Sequence, residues 1–217
     1  MTNPDDSCRY WAPSQCEGTA HCPPRCPRFV DSEGSAWVIR PATDDDQPGL
    51  VDMYDDFAPG ERAQGLPPRT RSRIETWVAD RLEDGCNFVV AGDDRIVGHA
   101  LYTPTDADEP EFAVFVHQSV QGRGIGTEVS KHVLADAAVG DRDALELVVE
   151  PGNRPARRLY DTLGYETVEE QSLSGGRRMG AIKMRRPLGP SAITEFRDRP
   201  ILREDATSSH VEPTHSD

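Results

Sequence analysis

Lysine is almost absent from this chain of 217 residues, whose 24 basic residues include only Lys131 and Lys183 as lysines. The 38 acidic residues, 22 of them aspartates, give a formal net charge of −14. An acidic chain without a basic stripe is a poor ligand for a phosphate backbone, so we expect no nucleic acid as a partner. The same balance is typical of a protein from a halophilic organism, since salt screens self-repulsion. An acidic patch that attracts a basic substrate is the alternative.

Long apolar runs are absent as well. No stretch approaches 18 consecutive apolar residues, and the N-terminus MTNPDDSCRY lacks the basic and apolar regions of a signal peptide. We therefore expect no membrane contact and a cytoplasmic protein. The length suits one core domain with additions, large enough to fold without disulfides.

Cysteine is scarce except at the N-terminus, where four of the five cysteines lie within the first 26 residues. Clustered thiols in a reducing compartment bind metal more often than they form disulfides, which favours a small zinc-binding knot over residues 1–34. The irregular spacing lacks paired C-x2-C motifs, so an iron–sulfur cluster or loose thiols are alternatives. The predicted ligands are Cys8, Cys16, Cys22 and Cys26, with His21 as an adjacent substitute.

The stretch 111–134, EFAVFVHQSVQGRGIGTEVSKHVL, carries most of the functional information. Alternating apolar residues, a glycine-rich run and apolar residues at helical spacing predict a strand, a loop and a helix. A helix N-terminus offers unpaired N–H groups and the positive end of a dipole, and glycines let an anion approach them. Arg123 can add a charge-assisted contact. Glycines at this spacing are also typical of an ordinary turn.

Two motifs within the chain resemble the GNAT acetyltransferase superfamily. The pattern Gln121-x-x-Gly124-x-Gly126 after a strand resembles its coenzyme A pyrophosphate signature, and residues 147–165, LVVEPGNRPARRLYDTLGY, resemble its next strand and helix. The resemblance covers about residues 36–187. It is nearest to bacterial and archaeal protein lysine acetyltransferases, which carry a catalytic glutamate ten residues before the loop glutamine, as Glu111 stands here. With the charge balance, it suggests a halophilic archaeal source.

The resemblance implies a GNAT fold over residues 36–187, an α/β (α+β) domain. We expect a mixed sheet of six or seven strands with about four helices, in which two central strands separate and hold the thioester between them. The loop 58–68 would lie over the acceptor groove. Residues 189–217 are polar and lack periodicity, and we expect a largely disordered tail there, above all beyond about residue 203.

Acetyl-CoA is the cosubstrate that the resemblance implies. Backbone N–H groups of the glycine-rich loop would hold the pyrophosphate, the preceding strand would bind the pantetheine arm, and an amide near 114–116 would face the oxyanion. The expected acetyl-CoA contacts are Val114, Phe115, Val116, Gln121, Gly122, Arg123, Gly124, Ile125, Gly126, Asn153, Ala156 and Tyr160.

Two residues are the candidates for proton transfer. Tyr160 is the expected general acid, because a phenol can protonate the departing thiolate in a dry pocket; the alternative is a core tyrosine. Glu111 is the expected general base for the amine, and the alternative is a solvated strand end. Glu150 is the reserve base and His117 a third choice. Cys86 is interpreted as a core residue and not as a nucleophile.

The predicted reaction is acetyl transfer from acetyl-CoA to an amine. The leading acceptor class is the lysine side chain of proteins, and a small-molecule amine is the nearest alternative. A non-catalytic acyl-CoA-binding module, whose cysteine-rich segment recruits a partner protein, is the alternative from another class. We expect a monomer or a homodimer.

Overall fold

The computed structural model describes residues 23–61, 67–92, 94–171 and 180–196. Within them, eight strands form one sheet in the order β1-β2-β3-β4-β5-β6-β8-β7. Strands β5 and β6 run parallel, and all other neighbours are antiparallel. The strands are β1 (Arg28–Val30), β2 (Ala36–Pro41), β3 (Cys86–Ala91), β4 (Ile96–Thr103), β5 (Glu111–Val116), β6 (Ala144–Val149), β7 (Glu166–Gln171) and β8 (Ala181–Pro187).

In the same described ranges, five α-helices lie on the two faces of this sheet. On one face α3 packs against β3, β4 and β5 and also against α5, and its Val129, Val133 and Leu134 are fully buried. On the other face α1 and α2 pack on each other and on the first half of the sheet, around a second core that includes Tyr54 and Ile74. The helices are α1 (Gln47–Asp55), α2 (Arg71–Asp84), α3 (Ile125–Val139), α4 (Arg154–Thr162) and α5 (Pro190–Phe196).

Local signals explain where two of these helices begin. A 3-10 turn over Asp44–Asp46 precedes α1, and the Asp46 carboxylate accepts a hydrogen bond from the Thr43 N–H at 2.8 Å. Arg40 holds the same carboxylate through two contacts of 2.7 Å, so the aspartate run serves helix initiation. At α4, Asn153 is the N-cap. Gly164 follows this helix with φ +77°, the left-handed conformation typical of a helix end.

The mixed sheet is confirmed, but the predicted numbers of strands and helices were low. Strand β1 falls in the segment assigned to the cysteine-rich knot and has three residues, too few to show alternation. Helix α5 falls in the predicted polar tail, where it buries Ala192 and Phe196. Phe29 of β1 is buried in the main core as well. None of the helices in the described part of the chain is long and apolar enough to cross a bilayer.

Candidate active site

The parallel strands β5 and β6 are joined by a single bridge among the described residues, between Glu111 and Glu146. The Glu146 N–H donates to the Pro110 carbonyl at 3.1 Å, and beyond this point β5 continues without β6 as a neighbour. Their separation opens a cleft of about 1160 Å³, large enough for a cofactor-sized ligand. Its walls come from β5, the glycine-rich loop, the end of β6 and α4.

Backbone groups of β5 point into this gap. Successive residues of a strand direct their N–H and C=O groups to opposite edges. The Pro110 carbonyl faces β6, whereas the His117 N–H donates to the Val97 carbonyl of β4 at 2.9 Å. Counting from either end, Phe112 and Val114 direct their backbone groups away from β4. Phe112 lies next to the bridge to β6, whereas Val114 lies beyond it and faces the gap. A pantetheine arm can therefore pair with β5 as a strand would, and the Val114 N–H is available to a carbonyl oxygen.

The glycine-rich loop has the geometry of an anion site. Gly122 and Gly124 have φ values of +77° and +88°, which residues with side chains rarely adopt. No heavy atom lies within 4 Å of a Cβ placed on Gly122, so the backbone is open there. Gly124 is the N-cap of α3, and Ile125, Gly126 and Thr127 of the first turn line the cleft. Their N–H groups and the helix dipole suit a pyrophosphate.

Gln121, in the same loop, satisfies the last carbonyl of β5: its Nε2 donates a hydrogen bond to the Val116 carbonyl at 3.0 Å. The Arg123 side chain lies elsewhere. It does not line the cleft, and its guanidinium contacts the Glu33 carboxylate at 2.8 Å, the Asp31 carboxylate at 3.8 Å and the Ser119 carbonyl at 2.9 Å. In this structure Arg123 thus contributes its backbone to the loop while its charge is held by two acids.

The start of α4 supplies the opposite wall. The Asn153 side-chain oxygen accepts from the Ala156 N–H at 3.2 Å and caps the helix, which leaves the Asn153 amide NH2 group as the donor on the cleft side. Ala156 and Leu159 also line the cleft and are partly buried against the main core.

Tyr160 lines the cleft from the buried face of α4 and is only 8% exposed. Its ring packs edge-on against Phe112 of β5, with ring centres 6.3 Å apart, and against Tyr165 at 5.7 Å. Burial raises the pKa of Tyr160 to about 12. The phenol is therefore protonated at neutral pH and can donate a proton into the gap.

Glu111 approaches the same gap from the other side of the sheet. Phe112 packs in the core beneath α3 and α4, whereas Phe115 packs against the core of α1 and α2. By alternation Glu111 shares the face of Phe115 and is exposed to solvent at the mouth of the cleft. The two candidate proton-transfer residues thus line one cleft from opposite faces of the sheet.

The two other candidate bases are placed differently. Glu150 follows β6 and lines the cleft. His117 is 5% exposed and does not line it; Nε2 lies 3.0 Å from the Asp56 carboxylate, and Nδ1 lies 2.8 Å from the Ser119 hydroxyl. Because Asp56 begins the loop after α1, His117 attaches that loop to the end of β5.

The acceptor side of the cleft includes a residue that the sequence did not single out. Phe57 and Gly60 line the cleft beside Phe115, and Gly60 belongs to the predicted acceptor loop 58–68, whereas Phe57 precedes it. Gln118 holds this segment by donating from Nε2 to the Asp56 carbonyl at 2.7 Å. The signal available in the sequence was an aromatic residue next to the predicted acceptor loop.

The predicted metal site lies largely outside the described residues, which exclude Cys8, Cys16, Cys22 and His21. Cys26 is buried. Within the described ranges no three histidine, cysteine or acidic side chains are grouped as metal ligands. The zinc-binding knot stays a prediction.

Cys86 matches its interpretation as a core residue. Its thiol donates to the Asp136 carboxylate at 3.1 Å, and Tyr102 donates to the same oxygen at 2.9 Å. Burial and the neighbouring carboxylate raise the pKa of the Cys86 thiol far above its usual range. A thiol that stays protonated is a poor nucleophile.

Comparison with known proteins agrees with this geometry. The model of the acetyltransferase (GNAT) domain family matches residues 37–166, more than half of the chain. The L-methionine sulfoximine/L-methionine sulfone acetyltransferase of Pseudomonas aeruginosa is 25% identical over 150 residues, which are 65% of this chain and 87% of the relative. A similar relative with the same description from Pseudomonas paraeruginosa matches equally well.

Solved structures with the same fold include the GNAT domain of S. lividans PAT, with a TM-score of 0.61, 20% identity and coverage of 74% of this chain and 96% of that one. The acetyltransferase yncA of Salmonella typhimurium, described as putative and solved with acetyl-CoA, has a TM-score of 0.59, 18% identity and coverage of 72% and 96%. The family match favours the enzyme over the non-catalytic binding module. The chain belongs to the GNAT acetyltransferase family and is an acetyl-CoA-dependent N-acetyltransferase.

Proposed function

We propose that this enzyme acetylates the primary amine of a small molecule, with Glu111 as general base and Tyr160 as general acid. The observation that carries the catalytic part is the separation of β5 from β6 directly after Glu111, with Tyr160 in the facing wall. A thioester bound in this gap would lie between a carboxylate on one face of the sheet and a protonated phenol on the other, which supports the two roles.

The reaction proceeds by direct attack. Glu111 removes a proton from the ammonium form of the acceptor, directly or through water, because an amine with a pKa near 10 is mostly protonated at neutral pH. The amine nitrogen then attacks the thioester carbonyl carbon, and the Val114 N–H stabilises the oxyanion. As the C–S bond breaks, the nitrogen releases its second proton to solvent and Tyr160 protonates the coenzyme A thiolate. Solvent then returns a proton to the phenol and takes up the proton held by Glu111.

The acceptor class is inferred from the two Pseudomonas relatives, whose names state acetylation of amino-acid analogues. The alignment spans 87% of their length and therefore includes most of a domain that binds such acceptors. Acidic side chains beside the gap suit a cationic amine: Glu111 and Glu150 line the cleft, and Glu146 faces the same side as Glu111 at the bridge.

Protein lysine is the second candidate acceptor. Val148 of β6 lines the cleft and is 39% exposed, so the acceptor side is open next to this strand and could admit a chain as well as a small molecule. The acidic side chains beside the gap would attract a lysine ammonium group equally well.

A panel of acceptors separates the two. We expect coenzyme A release with free amino acids, their sulfone and sulfoximine analogues and small primary amines, assayed from low to molar salt. Lysine-containing peptides, with N-terminally blocked versions as matched controls, should give a kcat/KM at least about tenfold lower. A kcat/KM that is higher for the blocked lysine peptides would overturn the small-molecule assignment and leave acetyl transfer intact.

A further inference from the structure

Residues 25–33 precede the region that matches the family. This segment contacts the glycine-rich loop, called the phosphate loop below, and helix α3, which follows the loop. Ser32 donates its N–H to the Arg123 carbonyl at 3.2 Å, and Glu33 holds the Arg123 guanidinium at 2.8 Å. Eight residues before Glu33, Arg25 reaches Glu128 of α3. The family match begins at residue 37, so Arg25, Ser32 and Glu33 lie outside the matched region.

Arg25 and Glu128 form a bidentate ion pair in the protein interior. Arg25 Nε and Nη2 donate to the two Glu128 carboxylate oxygens at 2.6 and 3.1 Å, and Nη1 donates to the Phe196 carbonyl of α5 at 3.1 Å. The residues are 3% and 5% exposed. A buried carboxylate in this position is costly unless a cation compensates it.

The location of Glu128 gives the pair an electrostatic consequence. Glu128 is the fourth residue of α3, and its N–H donates to the carbonyl of the N-cap Gly124 at 3.1 Å. It therefore lies about 6 Å along the helix axis from Gly124. Without compensation, its negative charge would oppose the helix dipole that attracts the pyrophosphate.

Among the described residues, no other cation is placed to neutralise the Glu128 carboxylate as Arg25 does. His132, one turn further along α3, has Nε2 at 3.9 Å from the Glu128 carboxylate. At that distance His132 Nε2 makes no hydrogen bond to Glu128, whereas Arg25 makes two. In the described part of the chain, the ion pairs of Glu128 are those with Arg25 and His132, and Arg123 of the preceding loop is held by Glu33 and Asp31.

We propose that Arg25 is a positioning residue for acetyl-CoA: by neutralising Glu128 beneath the phosphate loop, it keeps the pyrophosphate site attractive to anions. The segment before the family domain is thereby a functional part of the cosubstrate site. This inference rests on the acetyl-CoA site and is independent of the acceptor, of Glu111 and of Tyr160.

The test uses substitutions whose effects on acetyl-CoA binding have opposite signs. Arg25→Met leaves a buried carboxylate near the pyrophosphate and should raise the KM for acetyl-CoA and the Kd for coenzyme A about tenfold, with kcat and the amine KM changed less than about twofold. Glu128→Gln leaves an extra positive charge and should leave both constants unchanged or lower them. The double variant Arg25→Met/Glu128→Gln should return both constants to near the wild-type values.

Arg186→Met is the matched control, because Arg186 forms an ion pair of 2.6 Å with Glu195 that joins β8 to α5 away from the loop. It should lower stability without changing the coenzyme A Kd. If Arg25→Met fails to fold, the coenzyme A Kd values of Glu128→Gln and of the double variant still test the proposal. A rise in Kd in Glu128→Gln, or a double variant as weak in binding as Arg25→Met, would mean that the pair is structural only and would overturn the proposal.

Discussion

Glu111 of β5 is paired with Glu146 of β6, and this bridge marks the point beyond which the two parallel strands separate. Lys183 of β8 lies 2.7 Å from the Glu146 carboxylate and compensates one of the two charges. Glu111 is left as the acid at the apex of the gap. A carboxylate at that position would meet an acceptor amine at the level where the thioester would lie, as the proposed general base must.

Replacing Glu111 by glutamine removes the proposed base and keeps the side-chain volume. We expect kcat/KM for the amine to fall about 100-fold at neutral pH, within the usual range for general base catalysis. The loss should shrink as pH rises toward the amine pKa, because more acceptor is then already deprotonated. Steady-state kinetics as a function of pH give both results.

Glu109→Gln is the control for that substitution, since Glu109 is a nearby acid whose carboxylate is held by Arg185 at 2.7 and 3.0 Å. It should change kcat/KM less than about twofold. Equal losses of kcat/KM in Glu111→Gln and Glu109→Gln would show that the acids act only through the general electrostatic field of the cleft. A loss confined to Glu150→Gln would transfer the role of base to Glu150.

Removing the Tyr160 hydroxyl tests the proposed acid. Tyr160→Phe should lower kcat about 100-fold and leave the KM for acetyl-CoA close to the wild-type value, because the phenol acts when the thiolate departs. Tyr165→Phe is a matched control: its hydroxyl is buried, does not line the cleft and has no hydrogen-bond partner within the described ranges. Full activity in Tyr160→Phe would make Tyr160 a packing residue.

Tyr54, His99 and Asn87 form a buried polar chain beneath α1. The Asn87 NH2 group donates to the Arg81 and Gly85 carbonyls, both at 2.7 Å, so its side-chain oxygen must accept from His99 Nε2 at 2.9 Å. His99 Nδ1 is then the acceptor for the Tyr54 hydroxyl at 2.6 Å. Tyr54→Phe should lower the free energy of unfolding by about 1–3 kcal/mol, because it leaves Nδ1 buried without a donor.

Urea unfolding of Tyr54→Phe beside Tyr102→Phe checks this prediction. Tyr102 also donates a hydrogen bond, to the Asp136 carboxylate, but Asp136 keeps a second donor in Cys86. We expect the smaller loss in Tyr102→Phe. Equal stability of Tyr54→Phe and the wild type would contradict the assigned direction of the hydrogen bond.

The same histidine makes stability depend on pH. Burial lowers the pKa of His99 to about 3 and, with Arg25, lowers that of His132 to about 3. Between about pH 6.5 and pH 3 the unfolded chain therefore binds protons that the folded chain does not, so stability is full above about pH 6.5 and falls as pH decreases. Each histidine adds a slope of up to about 1.4 kcal/mol per pH unit.

Urea unfolding between about pH 7 and pH 5 measures that slope, in a window above the titration of most carboxylates. His99→Gln should be less stable at neutral pH but should lose stability less steeply with acid, by about one proton. An unchanged slope in His99→Gln would show that His99 is not buried in its neutral form.

Local patterns predicted the parts of the site that are local in sequence. The glycine-rich run predicted the loop in which Gly122 and Gly124 have positive φ, and alternating apolar residues predicted strand β5. Each of these follows from a few consecutive residues. The mixed sheet and its separated strands followed from the resemblance to the family and not from these patterns.

Long-range pairings were not predictable. Arg25 and Glu128 are 103 residues apart in the sequence, and neither has a local signature of burial. The glycines around Arg123 in the sequence suggested that its side chain binds phosphate. In the structure its guanidinium is held by Asp31 and Glu33, which lie in the turn between β1 and β2. Helix α5 was missed because it has only seven residues, and its buried Ala192 and Phe196 show their role only when the helix packs on α3.

The most direct test of the whole account is mass-spectrometric detection of the product formed from acetyl-CoA and a small primary amine by the wild type and by the Glu111→Gln/Tyr160→Phe variant. We predict one N-acetylated amine for each coenzyme A released by the wild type. The variant should bind coenzyme A with the wild-type Kd and form product at least about 1,000-fold more slowly. Undiminished product formation by that variant would contradict the assignment of both residues, and coenzyme A release without an amide product would contradict acetyl transfer to an amine.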